Sequence, residues 1–162
     1  MAACHDKIMN DSVYGKRDEK YSLRPLRIED LDTALSIEEQ CYTHPWSRRQ
    51  FIDQMDNPLS AIDLVWVGEE IAGYIVSWLI AGELEILNVA VAPAWRRRGV
   101  AAWMLKELLQ RAHGQGMTKA FLEVRSGNSA AILLYQQFGF RVNGRRRGYY
   151  ADGEDALLME YN

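Results

Sequence analysis

The sequence predicts an α/β (α+β) chain with one mixed, mostly antiparallel sheet of about seven strands flanked by about four helices. Two observations carry that expectation. The run Asn88 to Ala112, NVAVAPAWRRRGVAAWMLKELLQRA, reads as a strand, a sharp turn and a helix. Around it, short β-rich runs and apolar stripes at helical spacing follow one another in the order β-α-α-β-β-β-α-β-α-β-β. A chain of 162 residues is long enough for one core, and 48% hydrophobic residues exclude a disordered composition.

Met1 to about Lys20 is polar and aperiodic and reads as a disordered tail, so a single domain is expected over 21–162. Tyr21 to Arg27 alternates like a strand. Asp30 is placed to cap a helix carrying Leu31, Ala34, Leu35 and Cys41 on one face. The next helix starts at Trp46-Ser47-Arg48-Arg49-Gln50-Phe51, with Ser47 and Gln50 spaced for a capping box and Trp46 and Phe51 for a hydrophobic staple. The preceding His44-Pro45-Trp46 is a rigid aromatic loop that could wall a groove for an extended peptide.

Ala61 to Val67 and Ile71 to Leu79 form a hairpin about Gly68-Glu69-Glu70, and Leu84 to Val91 extends the meander. Pro93 cannot donate to a ladder, so that strand ends before it. Val100, Met104, Leu105, Leu108, Leu109 and Ala112 are spaced for one face of the central helix, with Gly114 as its stop. Lys119 to Arg125 is a buried strand holding one acidic residue, Glu123. Asn128 caps a helix with Ile132, Leu133, Tyr135 and Phe138 on its apolar side; Gly139 ends it, and Phe140 packs back. Arg141 to Tyr150 and Asp155 to Tyr161 close the sheet around an Asp152-Gly153 turn.

Composition narrows the function. The two cysteines and three histidines show no metal or redox spacing, so no metal is expected and a reduced, cytoplasmic setting is. No apolar run approaches the roughly 20 residues of a membrane span. The net charge of −3 speaks against non-specific nucleic-acid binding and suits a basic partner. The turn before the central helix offers unpaired backbone N–H groups and the positive end of a helix dipole, a setting that stabilises phosphate. Gly99 allows close approach and Ala101 leaves room for bulk.

The spacing Arg96-x-x-Gly99-x-Ala101 fits the Q/R-x-x-G-x-G/A pattern of the Gcn5-related N-acetyltransferases (GNAT). From about Ser22 to Tyr161 the chain resembles that fold. It is most similar to the bacterial group that acetylates the N-terminal alanine of a small-subunit ribosomal protein. The carrying residues are PWS at Pro45–Ser47, LEVR at Leu122–Arg125, the helix Asn128–Tyr135, Gly139-Phe140 and RRGYY at Arg146–Tyr150. Arg96, Ala101 and Gly127 depart from the commoner glutamine, glycine and serine.

The resemblance implies acetyl-CoA as cosubstrate, with its pyrophosphate at Arg97, Arg98, Gly99, Val100, Ala101 and Ala102. Its pantetheine arm would lie along Val89, Ala90 and Val91 in a split between two strands, and Asn128 would meet it near the thioester. Glu123 is implied as general base and Tyr135 as general acid, with Trp46, Tyr149 and Tyr150 lining the acceptor side. Each also has a structural reading: a salt bridge with Arg125 for Glu123, core packing for Tyr135, a helix cap for Asn128 and strand alternation for the tyrosine pair. An acidic rim of Glu38, Glu39, Glu83 and Glu85 would steer a positively charged tail. The implied partner is the N-terminal segment of a basic protein, ribosomal in kind, with no nucleic acid, no membrane and a monomeric enzyme. Acetylation of a small amine or a lysine side chain, and a non-catalytic acetyl-CoA-binding module, are the alternatives.

Overall fold

The computed structural model describes residues 21–162; the expectation of a tail over 1–20 lies outside the described residues. The elements are β1 (Tyr21–Pro25), α1 (Leu31–Cys41), α2 (Arg48–Asp56), β2 (Ser60–Val67), β3 (Glu70–Ile80), β4 (Glu83–Val91), α3 (Val100–Gly114), β5 (Lys119–Arg125), α4 (Ser129–Gln137), β6 (Arg141–Arg146) and β7 (Ala156–Tyr161). This is the predicted order, with two short 3-10 turns added at Ile28–Asp30 and Pro93–Trp95. One seven-stranded sheet runs β1-β2-β3-β4-β5-β7-β6, antiparallel except where β4 meets β5.

Strand alternation divides the core in two. Leu84 and Ile86 of β4 and Ala120, Leu122 and Val124 of β5 pack with the buried stripe of α3 and with Tyr135 and Phe138. On the other face, Leu64, Tyr74 and Ala90 pack with Leu31, Ala34 and Ile37 of α1 and Phe51 of α2. The capping box and staple form as expected: Ser47 accepts from the Gln50 amide, and the Trp46 and Phe51 rings meet edge-on at 5.6 Å.

Several local expectations change. Asp30 does not cap α1, because the 3-10 turn carries the chain into the helix with Asp30 already in helical geometry. α3 ends at Gly114 as expected, but the left-handed residue that reverses the chain is Gly116, at φ 88°. Leu133 is 59% exposed, since it lies about 200° around α4 from Tyr135, on the side away from the core. The penultimate strand ends at Arg146, so Arg147 to Asp155 form a loop in which Gly153 makes a local turn back to Tyr150. No helix among the described residues is long and apolar enough to cross a membrane.

Candidate active site

The parallel pairing of β4 with β5 begins at Glu83 and Lys119 and ends at Ile86 and Leu122. Beyond it the two strands separate. A register shift between Val76 and Ser77 makes Leu87 the extra residue of a bulge on β4, which bends the strand where the separation starts. The resulting cleft holds about 460 Å³ and is lined by both strands, α4, the Tyr42–Trp46 loop and the tip of the β6–β7 loop. The split expected between these strands is therefore present.

The two implied catalytic side chains approach the cleft from opposite faces of the sheet. Leu122 and Val124 bury toward α3 and α4, so Glu123 points the other way, toward the face of α1 and α2. It does not pair with Arg125. A guanidinium nitrogen of Arg146 closes on its carboxylate, and the Tyr149 hydroxyl hydrogen-bonds to it. Arg125 instead binds Asp152 and Glu154, each at 2.8 Å, and lies 3.9 Å from the Tyr150 ring centre. Tyr135 comes from the α4 side and lines the cleft while packing edge-on against Phe140 at 5.8 Å. Burial, with the neighbouring Tyr150, pushes its phenol up to about 12.

The turn between β4 and α3 is shaped for an anion. Arg97 at φ 62° and Gly99 at φ 80° are both left-handed, and no side chain caps α3. Arg96 folds back so that Nε donates to the Val91 carbonyl at 3.1 Å, and the Arg98 guanidinium lies over Trp95 at 5.0 Å. A Cβ on Gly99 would meet nothing within 4 Å, so the space beside the turn is open. These features fit a diphosphate approached by backbone amides and flanked by arginines.

The remaining predicted residues divide. Trp46, Val89, Val91, Ala101, Asn128 and Tyr150 line the cleft. The Val89 carbonyl accepts from the Tyr42 hydroxyl, and the Val91 carbonyl from Arg96 and, at 3.4 Å, from the Cys41 thiol. Ala90 pairs with Tyr74 and buries its methyl on the α1 face, while Val100 is buried in the α3 core. Asn128 uses its side-chain oxygen to cap α4 through the Ala131 amide at 3.2 Å, so the cap and a place beside the cleft coexist. Tyr149 is exposed and stacks edge-on with Tyr150 at 5.2 Å. Among the described residues no cluster of His, Cys, Asp and Glu could hold a metal.

Glu38 corrects one expectation outright. It is no part of an acidic rim but 1% exposed, facing the cleft. Its Oε1 accepts the Trp46 amide at 2.7 Å, and its Oε2 accepts the Tyr74 hydroxyl and, at 3.2 Å, the Asn88 amide. Burial holds its carboxyl above the ordinary 4.5, partly offset by the Trp46 and Asn88 bonds. The sequence held a signal for this: Glu38 stands four and seven residues after Ala34 and Leu31, in the apolar stripe of α1. Tyr42 and Asn88, also unforeseen, complete this wall.

Comparison with known proteins agrees with this geometry. The family model described as Acetyltransferase (GNAT) family matches residues 31–140. The [ribosomal protein bS18]-alanine N-acetyltransferase of Salmonella typhimurium is 33% identical over 137 residues, covering 83% of this chain and 92% of that protein. An N-alpha-acetyltransferase of Sulfurisphaera tokodaii is 28% identical over 157 residues, covering 89% and 94%. The crystal structure of the ribosomal-protein-S18-alanine N-acetyltransferase from Escherichia coli superposes with a TM-score of 0.82 at 30% identity, covering 87% of this chain and 92% of that one. The strand split, the uncapped turn before α3 and these matches together make the chain a member of the GNAT acetyltransferase family.

Proposed function

We propose that this acetyltransferase transfers the acetyl group of acetyl-CoA to the N-terminal α-amine of a protein, by direct attack in a ternary complex. The acceptor best supported is the N-terminal alanine of a small-subunit ribosomal protein, which sets the reaction in the cytoplasm. The observation that carries the reading is the placement of Glu123 and Tyr135 on opposite faces of one split sheet. Donor and acceptor can then enter from two sides and meet in the gap. The names of the relatives supply the acceptor.

Acetyl-CoA brings a thioester carbonyl open to an amine. The chain's own residues do the rest. Backbone amides from Gly99 to Ala102 and the flanking Arg97 and Arg98 hold the diphosphate. Glu123 takes the proton of the α-ammonium, whose ordinary pKa of about 7.7–8.0 asks only for a modest base. Tyr135 stays protonated through the neutral range and hydrogen-bonds the sulfur as the C–S bond breaks. An ordinary thiol ionises near 8.5, so the thiolate gains from that donor while it departs, and the second proton of the attacking nitrogen passes to the sulfur, giving the amide and CoA thiol. Trp46, Tyr149 and Tyr150 border the acceptor side. No cysteine is needed as a covalent relay.

The test is acetyl transfer to alanine-starting peptides, set against polyamines, aminoglycosides and free lysine. Preference for the peptides supports the reading; a faster small amine replaces it.

A further inference from the structure

Glu123 is already occupied by a cation. The Arg146 guanidinium pairs with it, Tyr149 hydrogen-bonds to it, and Arg146 lies over the Tyr149 ring at 5.3 Å. The choice of Arg146 follows from the charges around it. Arg125 is two residues along β5 on the same face, but Asp152 and Glu154 hold it. Arg145 is held by Asp155 at 2.5 Å. In register, Arg125, Ala156 and Arg146 form a row across β5, β7 and β6. The small Ala156 lets the Arg146 side chain fold back along the sheet to Glu123. That side chain is 52% exposed, so leaving costs it little burial.

We propose that Arg146 is a specificity-determining residue: it stands in the place of the acceptor's ammonium on Glu123, so that only a cationic amine claims the base and water does not. The inference rests on Glu123 being the base. An α-amine arrives largely as its ammonium. It exchanges with the guanidinium charge for charge, and because the displaced pair is partly exposed, 52% for Arg146 and 30% for Glu123, its loss is small. A water molecule carries no charge to offset that separation. With Arg146 away and no acceptor bound, Glu123 would activate water instead. The water oxygen would bond to the thioester carbon, its proton would go to Glu123, and the C–S bond would break. Glu123 would hand that proton to the departing CoA thiolate, and the acetic acid formed would leave and release its remaining proton to solvent as acetate. Arg146 suppresses this loss.

The experiment measures CoA thiol release from acetyl-CoA without acceptor in R146Q, R146M, R146K, E123Q and E123Q/R146Q. R146Q and R146M should raise it about tenfold or more, R146K should match the parent, and E123Q/R146Q should return to the parent rate. R146M keeps an unbranched apolar side chain at this position without the guanidinium, so it serves if R146Q does not fold. Calorimetry gives a readout apart from turnover. An alanine-starting peptide should bind the CoA-loaded R146Q or R146M protein several-fold tighter than the parent. The same peptide with its terminal amine replaced by hydrogen should bind all of them alike. Parent-level thiol release and unchanged peptide affinity in both variants overturn the inference. Wild-type acetyl transfer in E123Q instead overturns the reading of Glu123 as base.

Discussion

The backbone amide of Trp46 donates to the buried Glu38 carboxylate at 2.7 Å, and the same carboxylate receives Tyr74 and Asn88. One side chain of α1 thus ties the Tyr42–Trp46 loop to β3 and to the bulged segment of β4. In E38Q the volume is kept but an amide donor replaces an acceptor among three donors, leaving a buried mismatch worth about 1–3 kcal/mol. Peptide KM should rise about tenfold or more while acetyl-CoA affinity stays within about twofold. Equal losses in both would make Glu38 only a fold residue.

Glu38 also predicts a pH effect on stability. The unfolded chain releases this proton near 4.5, whereas the folded protein holds it to higher pH. In that window the native state binds more protons than the unfolded one, so stability falls as pH rises through it. The Tm difference between E38Q and the parent should therefore move in favour of E38Q as pH rises above 4.5. A difference that is flat or runs the other way would reject the buried, desolvated carboxylate.

Gly99 is the second point of leverage. At φ 80° a side chain there costs about 1–2 kcal/mol in backbone strain, yet its Cβ would point into open space. Gly99→Ala should weaken acetyl-CoA modestly through the bent turn. Gly99→Glu should weaken it much further by setting negative charge beside the phosphates. Calorimetry that finds the two equal would leave the turn as a helix start alone.

Most of the fold was legible because its signals are local. The capping box at Ser47 and the Gly139–Phe140 reversal each depend on residues within about one or two turns of one another, and the α3 stripe on one short-range repeat running from Val100 to Ala112. The cleft was legible only through resemblance, since the parting of β4 from β5 after Ile86 follows from a bulge against β3. Glu38 was misplaced because its charge outweighed its position in an apolar stripe. The alternative reading of Glu123, a salt bridge with Arg125, rested on nearness in sequence, while its actual partner Arg146 becomes near only through the β5-β7-β6 register. Leu133 went the other way: it is apolar but stands two residues from Tyr135, about 200° around the helix, so it faces away from the core.

Tyr135→Phe keeps the packing against Phe140 and removes the hydroxyl proposed to donate to sulfur. It should lower kcat by about 10²–10⁴-fold and leave acetyl-CoA affinity nearly unchanged. Because burial pushes the phenol up to about 12, its ionisation should not set an alkaline limb in kcat through pH 10, the ordinary phenol value. Wild-type turnover in the variant would return Tyr135 to a packing role.

The acceptor's charge should matter as well as its first residue. Glu85 lies beside Phe121 in the parallel register, and Glu123 follows two residues on, so Glu83, Glu85 and Glu123 lie along one face of the sheet. Glu83 and Glu85 are exposed, as is Glu39 on α1, and this track leads toward the gap bounded by Trp46 and Tyr150. A peptide with a free α-amine, a small first residue and basic residues downstream should therefore bind best. Its kcat/KM should fall as salt rises from low to physiological strength and the Debye length shrinks to about 8 Å. Replacing the downstream arginines by alanine should flatten that dependence, whereas changing only residue one from alanine to leucine should lower the rate at every salt concentration. Trp46→Ala should lose the discrimination at residue one and keep the salt dependence, because the wall and the acidic track are separate features. A peptide series whose rates ignore both residue one and downstream charge would place the acceptor's recognition elsewhere on the molecule.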